Sequence, residues 1–230
     1  MARKRALDVV LLVLGAVVWI PVLLGASAAV LIFSGRPIYY RSMRRVAFDK
    51  VMPVVKFRAM VRNADKIANR ETVPVTDSRF LNIPPDSPLY TRVGRVIEGL
   101  GLTELPQLIA VARGDMTLVG NRPLPENVMA SLREEFPHAD DRFMVRSGLT
   151  GPAQLVGRLA LTDDERLTLE SAYCRAALRR YRFKLDLSIL VYTVLIVVHL
   201  RRPFTYREVL ALLSPAAELR TTSPARVSAS

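Results

Sequence analysis

The chain has 230 residues, so it fits one domain, or one domain plus a membrane element; its single cysteine, Cys174, excludes an intramolecular disulfide, and no Cys/His cluster has zinc spacing. Apolar residues make up 50% of it and the formal charge is +12, a balance that suits an anionic partner, either nucleic acid or an anionic membrane surface. Aromatic residues are only 7% and no nucleic-acid motif is present, so the reading taken is membrane and no nucleic acid.

From Val9 to Phe33 the chain carries no charge, long enough to cross a hydrocarbon core of ~30 Å as a helix. Basic residues flank both ends: Arg3, Lys4 and Arg5 before, Arg36, Arg41, Arg44 and Arg45 after. The positive-inside bias keeps both flanks in the cytoplasm, which one crossing does not satisfy. Pro21, at the middle, removes a backbone donor and clashes with the preceding turn. Together these predict a re-entrant helical hairpin broken at Pro21 rather than a span, with residues 1–35 membrane-embedded.

Residues 36–214 predict a small mixed helix/strand domain of α+β class. Pro37–Tyr40 and Met52–Phe57 read as short strands. Residues 62–70 have helix-forming composition, and 72–88, with four prolines, read as a loop. Leu105–Ala112 reads as a helix with Thr103 as its N-cap and Pro106 in its first turn. Glu126–Phe136 is a second helix, stopped by Pro137, and Thr162 with Glu165 has the capping-box spacing that opens a third. Arg175, Arg179, Arg180, Arg182 and Lys184, interleaved with Leu178, Tyr181 and Phe183, read as an interfacial amphipathic helix on anionic headgroups. The apolar segment Leu185–Leu200 follows, then a short helix over 208–213 and a tail, 215–230, of disordered composition. His138 and His199 belong to no Ser-His-Asp pattern, and no Walker or dinucleotide motif is present.

Seven segments then occur in one order: the N-terminal hairpin with Pro21, Gly35–Arg41, Lys56–Met60, Thr91–Arg95, Glu104–Leu108, Gly114–Pro123 and Gly148–Arg158. In that order they resemble the bacterial sugar transferase family, the monotopic polyprenyl-phosphate phosphoglycosyltransferases, over about Arg5 to Val198. The resemblance implies transfer of a phosphosugar from a UDP-sugar to a polyprenyl phosphate with release of UMP. That is the first step of exopolysaccharide, capsule or O-antigen assembly, placed on the cytoplasmic face of the bacterial cytoplasmic membrane. It further implies an Asp-Glu pair working with Mg2+. The glutamate falls on Glu104, as catalytic residue and metal ligand; the aspartate nucleophile falls on Thr103, whose hydroxyl is a poor nucleophile without an activating base. Lys56, Arg58, Arg92, Arg95, Arg122 and Arg158 are the phosphate-binding candidates, with Asp115 and Gln154 as further retained polar residues. The chain departs from the family pattern at Thr103, and also at Ile20, Glu98, Gly101, Asn121, Ser147 and Pro152. Two functions are therefore expected in competition: an active transferase, and a member that has lost the chemistry and serves as a binding or scaffolding partner in glycan assembly.

Overall fold

The computed structural model describes residues 2–68, 83, 86–157, 160–179 and 181–214. It opens with α1 (Ala2–Ser34), a single helix of 33 residues, ~50 Å long at the rise of an α-helix. Pro21 lies inside α1 and does not end it, so the expected break is not formed there. A proline deletes one bond of the helical ladder, and the bonds on either side carry the helix through. The turn comes later, at Gly35 with φ +70°.

The two ends of α1 are tied to the same body. Lys4, Asp8 and Leu12, spaced one turn apart, are buried at the start, and Ala26 and Val30 are buried near the end. Lys4 Nζ donates to Asp186 at 2.5 Å and to the Tyr173 hydroxyl at 2.9 Å. Asp8 accepts from the Thr117 hydroxyl at 2.7 Å and the Leu118 N–H at 3.0 Å. At the far end the Arg58 guanidinium donates to the Ser34 and Gly35 carbonyls, a cation where a helix presents its negative pole. The outer stripe, including Val13, Leu14, Val17 and Val18, faces outward, with Val17 79% exposed.

A hairpin follows: β1 (Tyr39–Ala47) and β2 (Lys50–Phe57) pair antiparallel, Tyr39 opposite Phe57 and Arg45 opposite Val51, with a register shift between Arg45 and Ala47. Both strands outrun their expected bounds, because the arginines of β1 mask its alternation in the sequence. Of the expected helix over 62–70, α2 (Ala64–Ile67) falls within the described residues. Most of the expected loop 72–88 lies outside them, as does the tail 215–230. α3 (Arg92–Gly99) is capped by the Thr91 hydroxyl, which accepts from the Gly94 N–H. Gly94 packs so closely that a Cβ there would sit 1.8 Å from the Ala59 carbonyl oxygen.

Leu102–Gln107 forms a 3₁₀ helix that runs into α4 (Leu108–Arg113). This corrects two expectations. The α-helix begins at Leu108, not Leu105, and Thr103 is not its N-cap but a residue inside the 3₁₀ helix, whose N-cap is Gly101. Pro106 explains the shift, since it has no N–H to give to an α-helical ladder and is accommodated in the tighter turn.

β3 (Thr117–Val119) and β4 (Gly148–Thr150) form a short parallel pair that the sequence pattern does not announce. α5 (Glu126–Glu135) stops before Pro137 as expected. A 3₁₀ helix, Ala139–Phe143, and α6 (Pro152–Val156) lead to α7 (Asp163–Arg179). The Thr162–Glu165 capping box is formed: Glu165 N–H donates to the Thr162 hydroxyl at 3.2 Å and Thr162 N–H to the Glu165 carboxylate at 3.0 Å. The expected basic helix over 175–184 is split between the end of α7 and the start of α8 (Phe183–Val197). α9 (Tyr206–Leu213) closes the described chain with a second capping box, Thr205 and Glu208.

The main core gathers β2, β3, α4, α6, α7, α8 and α9 around Val111, Val119, Leu155, Leu169 and Ile189. α8 buries Leu185, Asp186 and Ile189 inward and leaves Phe183, Leu187, Val191 and Val194 exposed on its outer side. This apolar outer face is one that water alone does not favour.

Candidate active site

Three segments, far apart in sequence, meet at one carboxylate. The end of β2 delivers Lys56; the 3₁₀ helix delivers Glu104; the turn after β3 delivers Arg122. Lys56 Nζ donates to Glu104 Oε1 at 2.7 Å. Arg122 Nη1 donates to Glu104 Oε2 at 3.1 Å, and its Nη2 donates to Oε1. All three side chains are largely buried, so the Coulomb terms are less screened than at a surface. Burial opposes the ionised Glu104, but Arg122 and Lys56 outweigh it and hold the carboxyl far below its ordinary range. Burial, followed by the neighbouring Arg122, pushes the Lys56 ammonium down to about 8, against the pull of Glu104. Burial also acts against Arg122, whose pKa nevertheless rises because Glu104, and to a smaller extent Glu98, hold its charge.

The turn bearing Arg122 is itself held. Arg44 Nη1 donates to the Pro123 carbonyl at 3.0 Å, and Arg142 Nη2 to the Arg122 carbonyl at 3.0 Å. Neither arginine is a sequence candidate. Their spacing from Arg122 carries no local pattern, and a buried arginine in a basic chain looks like any other.

The remaining candidates do not join this cluster. Arg58 is spent on the end of α1. Arg92 and Arg95 sit exposed in the first turns of α3, with Arg95 donating to the Ser87 carbonyl at 3.3 Å. Asp115 pairs with Lys50 at 2.6 Å. Both amide atoms of Gln154 are buried without a partner. Arg158 lies outside the described residues.

Thr103 is beside Glu104 in the 3₁₀ helix and only 7% exposed. Among the described residues no hydrogen bond joins its hydroxyl to a carboxylate or imidazole, and the neighbouring Glu104 carboxylate is held by Lys56 and Arg122. For Mg2+ the donor set is hard oxygen: one carboxylate next to one hydroxyl. Among the described residues no three acidic, histidine or cysteine groups gather into a metal cage. Mg2+ ordinarily takes one or two carboxylates and completes its shell with water and substrate phosphates. The residues therefore fit an ion shared with a phosphate ligand better than one caged by protein groups alone.

A cation pair around one carboxylate is suited to dense negative charge. A diphosphate entering here would compete with Glu104 for Arg122 and Lys56, a planar fork and a point charge respectively.

The family model described as "Bacterial sugar transferase" matches residues 1–200. The uncharacterized sugar transferase EpsL of Bacillus subtilis is 32% identical over 173 residues, 75% of this chain and 76% of that protein. The exopolysaccharide production protein ExoY of Sinorhizobium fredii is 30% identical over 176 residues, 74% of this chain and 76% of that one. The undecaprenyl-phosphate galactose phosphotransferase of Salmonella typhimurium is 33% identical over 177 residues, 75% of this chain but 35% of that longer protein.

Proposed function

The chain belongs to the bacterial sugar transferase family, and on that footing we propose that it moves a phosphosugar from a UDP-sugar to a polyprenyl phosphate at the cytoplasmic face of a bacterial membrane. The carrying observation is the convergence of Lys56 and Arg122 on Glu104. Two cations at a partly enclosed site can hold the diphosphate of the donor and the charge that develops as it is cleaved. The likeness to a relative named undecaprenyl-phosphate galactose phosphotransferase supports the lipid-phosphate acceptor.

With threonine at position 103, the transfer is direct. A phosphate oxygen of the polyprenyl phosphate attacks the sugar-side phosphorus, and the bond from that phosphorus to the bridging oxygen breaks. UMP leaves with that oxygen. A phosphate monoester has a second pKa near ~6, so the attacking group is already an anion and needs no base. Lys56 and Arg122 bind and orient the donor phosphates, and Glu104, released from them, faces the same phosphates beside the Thr103 hydroxyl. Mg2+, held by Glu104 and Thr103, would neutralise phosphate charge.

In this reading both ends of α1 stay on one side of the membrane. Both ends of α1 are tied to one body, through Lys4 and Asp8 at one end and Arg58 at the other, while its apolar stripe faces out. With the exposed apolar side of α8, this gives a face that lies in the headgroup region of an anionic membrane. A lipid phosphate at that depth reaches the site without leaving the bilayer.

Thr103, buried and without a hydrogen bond to a carboxylate or imidazole among the described residues, favours a second reading, a member without chemistry that binds or scaffolds in glycan assembly. The test is UMP release from a panel of UDP-sugars with polyprenyl phosphate and Mg2+. Turnover by the native chain, abolished in Glu104→Ala, supports the transferase and overturns the scaffold reading. No turnover by the native chain, but turnover in Thr103→Asp, overturns it in favour of the scaffold.

A further inference from the structure

Behind Arg122 lies a second buried polar group. Asn121 is 1% exposed, and the side chains of Arg142 and Glu170 are fully buried. Asn121 Nδ2 donates to the Arg142 carbonyl at 2.8 Å and the Glu170 carbonyl at 3.2 Å, with Cys174 Sγ at 3.3 Å. Acceptors surround this atom, which fixes it as the amide nitrogen. Arg142 Nε and Nη2 each donate to the Glu170 carboxylate at 2.8 Å, and Nη2 donates again to the Arg122 carbonyl at 3.0 Å.

The bonds close a loop. Asn121 holds the backbone of 142 and 170; the side chain of 142 binds that of 170 and returns to the backbone of 122. Two adjacent residues of the turn are thereby fixed to α7 and to the 3₁₀ helix Ala139–Phe143. An apolar filling of the same volume would pack as well, and a buried ion pair contributes little net stability against that alternative. What the polar group adds is direction, since each bond is satisfied in one geometry only.

We infer that Asn121, Arg142 and Glu170 are positioning residues, which fix the main chain at Arg122 so that its guanidinium stays on the axis of the phosphate site. This rests on the reading that Arg122 meets the donor's phosphates, but the positioning itself is defined toward Glu104 and can be measured without a donor. The turn is also held by Gly148 N–H, which donates to the Asn121 carbonyl at 2.9 Å, and by Arg44 at the Pro123 carbonyl, but neither of these bonds reaches Arg122 itself.

The experiment uses the full chain in detergent and two readouts. The first is the coupling between Arg122→Ala and Glu104→Gln in melting temperature, measured by a double-mutant cycle in native, Asn121→Ala and Asn121→Pro backgrounds. The second is affinity for UDP with Mg2+, by calorimetry. Proline fixes φ in place of the side-chain bonds, and Asn121 N–H makes no hydrogen bond among the described residues that proline would remove. The coupling is expected to fall by at least half in Asn121→Ala and to recover in Asn121→Pro. UDP binding should weaken about tenfold in Asn121→Ala, with no further effect of Asn121→Ala once Arg122 is alanine. An undiminished coupling in Asn121→Ala overturns the inference, as does a proline variant no better than alanine, which is the result of a purely packing role. If the native chain binds no UDP, the reading of the site as a donor site falls, while the coupling measurement still decides the positioning.

Discussion

Arg122 grips Glu104 with both of its terminal nitrogens, Nη1 on Oε2 at 3.1 Å and Nη2 on Oε1. The fork geometry makes the pair sensitive to shape as well as charge. Arg122→Lys keeps the charge and loses the second bond. A charge-assisted bond is worth about 1.5–3 kcal/mol, so kcat/KM for UMP release is expected to fall ~10- to 100-fold, with the fold retained by circular dichroism. A fall no greater than twofold would place Arg122 outside the phosphate contact.

The Lys56 ammonium, pushed down to about 8 by burial and Arg122, ties function to pH. Its charge binds phosphate below that value and is lost above it, so kcat/KM, which reports the free enzyme, is expected to decline as pH rises through about 8. Arginine stays charged across this range. Lys56→Arg should therefore flatten the alkaline limb even if it lowers the plateau, and an unchanged limb would assign the titration to another group.

Stability has the opposite alkaline sign. Lys56 releases its proton in the folded chain at about 8 and in the unfolded chain near its ordinary 10.5. The unfolded state binds more protons between those values, so this contribution to stability rises with pH there. Glu104 acts at the acid end. Its depressed folded pKa stabilises above the usual carboxylate range and is lost as pH falls below about 4.3. Melting temperatures of native chain and Glu104→Gln across pH 3 to 7 should differ near neutrality and converge toward acid.

Lys4 and Asp186 form a buried pair 182 residues apart in sequence. Removing one partner leaves an uncompensated charge and costs about 3–5 kcal/mol, and replacing both restores much of it. Asp186→Asn is expected to lower the melting temperature and open Arg3 and Arg5 to trypsin, with Lys4→Met/Asp186→Asn recovering part of the loss. Equal melting of the single and double variants would show that the pair does not couple.

With both ends of α1 tied to the same body, single cysteines placed at Arg3 and at Arg36 should both resist a periplasmic thiol reagent in intact cells and both react after lysis. Labelling of either from outside would rule out the re-entrant placement. The buried Cys174 gives a low background.

Much of this molecule is local and so could be read along the chain. An uncharged run from Val9 to Phe33, a capping box at Thr162 and Glu165, and a proline after α5 each act within a turn or two. Their physics is short-ranged, and the order of motifs carried the family in the same way. Lys56, Glu104 and Arg122 are each candidates from sequence. Their meeting was not legible there, because it depends on β2, a 3₁₀ helix and the turn after β3 arriving at one place. Arg58 was named on the same grounds and proved to hold the end of α1. Composition and motif order are enough to define an apolar, basic chain of a recognisable family with a threonine beside Glu104. Packing settles which cations face that glutamate, that Thr103 sits buried inside a 3₁₀ helix rather than capping an α-helix, and that Asn121 and Arg142 stand behind Arg122. Desolvation and charge pairing act between residues brought together by packing, and no spacing along the chain encodes them.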